Sequence, residues 1–217
     1  MAVRHVLFDA DGVVQRVPGG WCAAMEPYLG DRAREFLHDT WRRELPFLAG
    51  EGGDYLPFLA QSLAAYGIDA PADTVYRDVW HRIEVVDESV VLVERLRRAG
   101  YGVHLGTNQE RERGEHMREA LGYDELFDVS CYSHVLGVAK PDPRFFTEAA
   151  RLVGAAPADI LFVDDTAAKR RGGPAHRHGS RAMVPRRRPR DAPCRPHGAR
   201  RRPRVTTARV RPCRSRP

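Results

Sequence analysis

Residues 3–12 read VRHVLFDADG. The apolar run predicts a β-strand over 3–8, and two carboxylates two positions apart stand at its carboxyl end. Gly12 permits the sharp bend that lets Asp9 and Asp11 face one place. In an open parallel sheet, ligands collect beyond the carboxyl ends of the strands, so the acidic ending of this first strand is where a site is expected.

Three further runs continue the pattern: YGVHLG at 101–106, FDVSCY at 127–132 and ILFV at 160–163. Helical stretches separate them. SVVLVERLRRAG precedes the second strand, with Ser89 as its expected N-cap and Gly100 as its stop; further helices are expected at about 110–121 and 143–153. Strands alternating with helices imply a parallel sheet covered on both faces, a Rossmann-like three-layer α/β/α core.

Between the first strand and Ser89 the chain reads differently. WCAAMEPYL, RAREFLHDTWRREL, YLPFLAQSLAAYG and PADTVYRDVWHRIE carry apolar residues at helical spacing, broken by Gly-Gly or Pro. The expected organisation is a core from residues 1–14 and 88–168, a helical insertion at 15–87, and a tail at 169–217. Trp21, Trp41 and Trp80 are expected in the insertion's own core rather than as a substrate platform. His81, His104 and His116 lack ligand spacing, and RERGEHMRE reads as a solvated helix face with intrahelical ion pairs.

The formal charge of +6 hides two opposite halves. Residues 1–168 hold 17 Lys+Arg against 28 Asp+Glu, a net of −11, whereas residues 169–217 hold 18 against one, a net of +17. Those last 49 residues contain no Leu, Ile, Phe, Tyr or Trp and eight of the 16 prolines, so they lack the apolar area that offsets chain entropy and are expected to be disordered. No apolar run approaches the ~18 residues of a membrane span, and the acids at 9 and 11 interrupt any secretory apolar segment, which points to a soluble cytoplasmic protein. Cys22, Cys131, Cys194 and Cys213 are scattered without paired spacing, favouring buried or idle thiols over disulfides or a zinc site.

The polar residues at the expected strand ends form one set: Asp9 and Asp11, Thr107 and Asn108, Lys140 ahead of the helix after strand three, and Asp164 and Asp165. Carboxylates crowded together repel unless a cation sits among them, and Mg²⁺ takes oxygen ligands from carboxylates, water and phosphate. With that cation and Lys140 balancing charge, one aspartate can attack phosphorus while another, two residues on, handles protons.

FDADGVV, LGTNQ, GVAKPDP and FVDDT, in this order and spacing, resemble motifs one to four of the haloacid dehalogenase-like (HAD) hydrolase superfamily over about residues 3–168. The resemblance implies Asp9 as a nucleophile forming an aspartyl-phosphate, Asp11 as general acid/base, and Thr107 with the amide of Asn108 holding the phosphoryl group. It implies that Lys140 steadies nucleophile and phosphate, and that Asp164, assisted by Asp165, anchors Mg²⁺ alongside Asp9 and the Asp11 carbonyl oxygen. The helical insertion corresponds to the family's α-helical (C1) cap, and the substrate to a small phosphorylated metabolite. True haloacid dehalogenases lack an aspartate at the Asp11 position, so Asp11 argues for phosphoryl transfer; a sugar phosphomutase shares the same four motifs and is the alternative. No oligomeric state is implied.

In the resembled family the strand-four acids are followed by a helix reading close to NVEGARxxG, where this chain has KRRGGPAHRHG. Removing one base at the Lys169 codon allows the following codons to read asparagine and then V-E-G-A-R. A single-base insertion is therefore expected to have replaced the end of the domain by out-of-frame translation. The rival reading is a basic polyanion-binding arm on an inactive remnant, but the tail has no aromatic stacking residue and no folded nucleic-acid motif, so no specific nucleic-acid partner and no membrane are expected.

Overall fold

The computed structural model describes residues 3–165. In chain order the strands are β1 (His5–Phe8), β2 (Gln15–Arg16), β3 (Glu84–Val85), β4 (Gly102–Thr107), β5 (Val129–Tyr132) and β6 (Ile160–Val163). The helices are α1 (Trp21–Leu29), α2 (Ala33–Arg43), α3 (Leu45–Leu48), α4 (Tyr55–Ala65), α5 (Ala72–Val79), α6 (Asp87–Arg98), α7 (Arg111–Glu119), α8 (Tyr123–Leu126), α9 (Ser133–Leu136) and α10 (Pro143–Val153). The expected tail at 169–217, with Cys194 and Cys213, lies outside the described residues.

The sheet is parallel with strand order β5-β4-β1-β6. β1 is paired on both sides, with Phe8 opposite Leu105 on β4 and Val163 on β6. Its Val6, Leu7 and Phe8 are all buried, because helices cover both faces and leave no solvent side for a polar alternation. One apolar layer joins Val6, Phe8, Val103 and Leu105 to Val93 and Met117 of α6 and α7; the other joins Leu7 and Cys131 to Phe145, Phe146 and Ala149 of α10. Each such side chain contributes about 1.5–3 kcal/mol when taken fully out of water. The α/β reading of the sequence is thus observed.

The insertion has its own core. Met25, Phe36, Leu37, Tyr55, Leu59, Leu63, Val75 and Trp80 are buried together, with Trp21 and Trp41 packed against them. On α2 the inward residues are Ala33, Phe36, Leu37 and Thr40, the i, i+3, i+4, i+7 stripe of a helix seated on one face. The tryptophans therefore sit where the sequence placed them. Where the chain leaves and re-enters the sheet region, β2 and β3 pair antiparallel, Gln15 opposite Val85 and Arg16 opposite Glu84. Two-residue strands carry too short a pattern to be read from sequence.

Two local expectations are corrected. α6 starts at Asp87 with Val86 as N-cap, not at Ser89. Asp87 and Glu88 already supply negative charge to the first turn, and Ser89 instead donates its hydroxyl to the Val13 carbonyl at 2.7 Å, tying the helix to the loop after β1. Gly100 does end the helix, at φ 84°. Cys131 is a buried free thiol, as expected. The second correction concerns RERGEHMRE and is given with the site.

Candidate active site

The loop after β1 is a tight turn in which the Ala10 carbonyl accepts from the amides of Val13, Val14 and Gln15 at 2.8–3.1 Å. Gly12, at φ 82°, sits so close to Asp165 that a Cβ there would run into its carboxylate; glycine is required both by backbone and by space. The turn leaves Asp9 buried at the end of β1, its amide donating to the Val163 carbonyl at 2.8 Å. Since β6 lies beside β1, its own ending, Asp164-Asp165, arrives at the same place.

Oxygen atoms of Asp9, Asp164 and Asp165 lie within 4.8 Å of one another. The Lys140 ammonium, its side chain fully buried, reaches Asp9 at 2.8 Å and Asp164 at 3.5 Å and donates to the Gly106 carbonyl at 2.8 Å. It is also 4.9 Å from the Phe162 ring centroid, so apolar walls hold it among the acids. Asn108 fixes the Lys140 backbone from both ends of its amide: its Nδ2 donates to the Lys140 carbonyl at 2.9 Å, and its Oδ1 accepts from the Lys140 amide at 2.8 Å. Thr107, at the end of β4, accepts a hydrogen bond from Gln109 at 2.9 Å. Three buried or half-buried carboxylates at this spacing, with oxygen donors alone, suit a hard divalent cation such as Mg²⁺.

Asp11 goes elsewhere. Its carboxylate is not part of the three-acid cluster; the role the sequence assigned it toward a metal uses the backbone carbonyl. Its Oδ2 accepts from Arg113 Nη1 at 2.7 Å and from Gln109 at 2.9 Å, and its Oδ1 accepts from Arg113 Nη2 at 2.9 Å and from Gln15 at 3.0 Å. Gln15 is itself oriented by the Tyr123 hydroxyl, which donates to its Oε1 at 2.9 Å.

Arg113 overturns the reading of RERGEHMRE as a wholly solvated face. Arg111 and Glu115 do form an exposed i, i+4 pair, but Arg113 is 2 % exposed and lies on an inward stripe with Gly114 and Met117. Burial pulls its pKa down, yet the Asp11 carboxylate and then Glu110 outweigh that and hold it above the ordinary arginine value. Six charged residues among the nine mask the inward stripe. The small residue at 114, where a Cβ would meet the His134 ring, and Met117 four residues after Arg113 are the signals that expose it.

The same helix seats the insertion. Tyr76 of α5 donates to the buried Glu110, Glu112 accepts from the Tyr55 amide at the start of α4 at 2.7 Å, and Arg111 pairs with Asp54. Burial raises the pKa of Glu110, countered by the Tyr76 hydroxyl and Arg113. His81 and His116 stack across this seam with ring centroids 3.9 Å apart; burial, then the neighbouring His116, lowers the His81 pKa to about 4, so the stack is neutral at physiological pH.

A parallel sheet with acids from two adjacent strand ends, a buried lysine among them and a helical insertion after the first strand is the architecture of an α/β hydrolase. A family model described as haloacid dehalogenase-like hydrolase matches residues 3–175, and the chain belongs to that family. Among curated proteins it is 26 % identical over 178 residues to Phosphatase MT3486 of Mycobacterium tuberculosis, covering 77 % of this chain and 81 % of that one. It is 27 % identical over 176 residues to the pyrophosphatase PpaX of Bacillus cereus, covering 76 % of each. The fold is also that of the HAD family enzyme bt-2542 from Bacteroides thetaiotaomicron, solved as a magnesium complex, with TM-score 0.66 and 16 % identity over 79 % of this chain and 88 % of that one. Among the described residues no helix is long and apolar enough to cross a membrane.

Proposed function

We propose that the chain is a Mg²⁺-dependent phosphatase that hydrolyses a small phosphate monoester through Asp9. The observation that carries this reading is the convergence of Asp9, Asp164 and Asp165 around the buried Lys140. The relatives named as phosphatase and pyrophosphatase, and the magnesium complex of a protein of the same fold, support it.

In this reading an oxygen of Asp9 attacks phosphorus as the bond to the leaving oxygen breaks, and Asp11, which enters the step as the protonated acid, supplies the proton which that oxygen takes. Asp11 then accepts a proton from water, whose oxygen attacks the aspartyl-phosphate and releases inorganic phosphate, restoring the Asp9 carboxylate. Thr107 and the Asn108 backbone amide hold the phosphoryl oxygens, and Lys140 holds Asp9 in place. Asp9, Asp164, Asp165 and the Asp11 carbonyl would hold Mg²⁺, which when bound neutralises phosphate charge. The insertion at 15–87 would close over the substrate as a cap.

Hydrolysis of p-nitrophenyl phosphate is expected to fall to background in excess EDTA and to return with Mg²⁺. Turnover unchanged by chelation would remove the metal from the mechanism.

We further propose that residues 169–217 are out-of-frame translation of the end of the domain. The family match ends at residue 175, and β6, in an outer position of the described sheet, has four half-buried residues where a doubly covered parallel strand buries all. The 217-residue chain is therefore expected to turn over weakly, and a chain read in the restored frame from codon 169 to be at least about tenfold more active and to melt several degrees higher. Equal rates and equal melting temperatures would refute the frame assignment, as would a gene sequence intact across codons 165–172.

A further inference from the structure

The Arg113 guanidinium makes four hydrogen bonds, and all three of its nitrogens take part. Two nitrogens grip the two oxygens of Asp11 side by side, a bidentate geometry that fixes the carboxylate plane as well as its position. Nη1 also donates to the Gln109 side chain at 2.9 Å, and Nε donates to the Trp80 carbonyl at 2.9 Å. The guanidinium carbon lies 4.9 Å from the Trp21 ring centroid. Trp80 caps the last helix of the insertion and Trp21 opens its first, and their rings meet with centroids 5.9 Å apart. Arg113, on a helix of the sheet region, thus touches both ends of the insertion with the group that holds Asp11.

We propose that Arg113 is the positioning residue for Asp11, and that it couples the orientation of that carboxylate to the seating of the helical insertion through Trp80 and Trp21. Four hydrogen bonds on two oxygens leave Asp11 little rotamer freedom of its own, and two of them come from the one rigid guanidinium fork. A shift of the insertion that moves Trp80 draws on Nε, and the rigid planar fork transmits that displacement to the carboxylate. The inference rests on Asp11 handling the leaving-group proton, as proposed above.

A test compares p-nitrophenyl phosphate, whose leaving group needs little protonation, with a simple alkyl phosphate, whose leaving group needs it fully. General acid help is worth about 10²–10⁴-fold. Asp11→Asn is expected to lower kcat for the alkyl ester at least about a hundredfold more than for the nitrophenyl ester. Arg113→Lys and Arg113→Met are expected to show the same bias, about tenfold or more, with KM little changed, and Trp21→Leu a weaker bias in the same direction. If Asp11→Asn discriminates between the esters but the Arg113 variants do not, the positioning role is overturned and the phosphatase reading stands. If Asp11→Asn does not discriminate, both fall.

A readout independent of turnover guards against variants that fold poorly. Asp11→Asn is expected to change the tryptophan emission of the 217-residue chain, and to change it no further in an Arg113→Met background. An identical change in both backgrounds would break the proposed link.

Discussion

Replacing Asp9 by Asn is expected to lower phosphate-ester hydrolysis by a factor on the order of 10³ or more, because an amide oxygen cannot take phosphorus and be restored as a carboxylate. The fold should survive. Asn has nearly the same shape, the backbone amide at position 9 keeps its bond to the Val163 carbonyl, and Lys140 retains Asp164 and the Gly106 carbonyl. The substitution also thins a cluster of like charges, so the melting temperature should hold or rise slightly in metal-free buffer. Single-turnover assays with enzyme in excess check the first part and thermal melts the second. An Asp9→Asn variant retaining more than about a tenth of the parent rate would end the assignment of Asp9 as nucleophile.

Lys140→Met is expected to be the most damaging single change to stability in the site. The ammonium is buried between Asp9 at 2.8 Å and Asp164 at 3.5 Å, and a methionine of similar length removes that charge from beside two buried acids. Breaking a buried pair from one side costs about 3–5 kcal/mol, far more than losing an exposed pair such as Arg77–Asp73. The urea midpoint should therefore fall clearly without Mg²⁺. It should recover in part with it, because a divalent cation can stand against the same carboxylates. Unchanged midpoints in both conditions would mean that the acids are balanced without Lys140.

Much of this arrangement was legible in the sequence because it is carried by local pattern. VLF before DADG and ILFV before DD are buried runs with acids at the end, and parallel neighbours β1 and β6 then bring Asp9, Asp164 and Asp165 together without further information. Lys140 was found by its place before the α10 start, where Asp142 caps the helix by accepting from the Arg144 amide. The partner of Asp11 was not legible. Arg113 lies 102 residues away; Gly114 and Met117 mark the inward stripe of its helix, but only the tertiary packing of α7 against the insertion brings that stripe to Asp11. The β2–β3 ribbon escaped because two residues have no period, and the α6 start because Asp87 and Glu88 were equally good first-turn residues.

The strand order has a consequence for how the molecule fails. Asp9 rides on an interior strand gripped from both sides, whereas Asp164 and Asp165 hang from the outermost strand of the described sheet. Opening of that margin would carry off two of the three acids while the remaining strands stay zipped. Loss of catalysis can thus precede loss of shape, and a preparation that still looks folded by its bulk helical signal can already be emptied of chemistry.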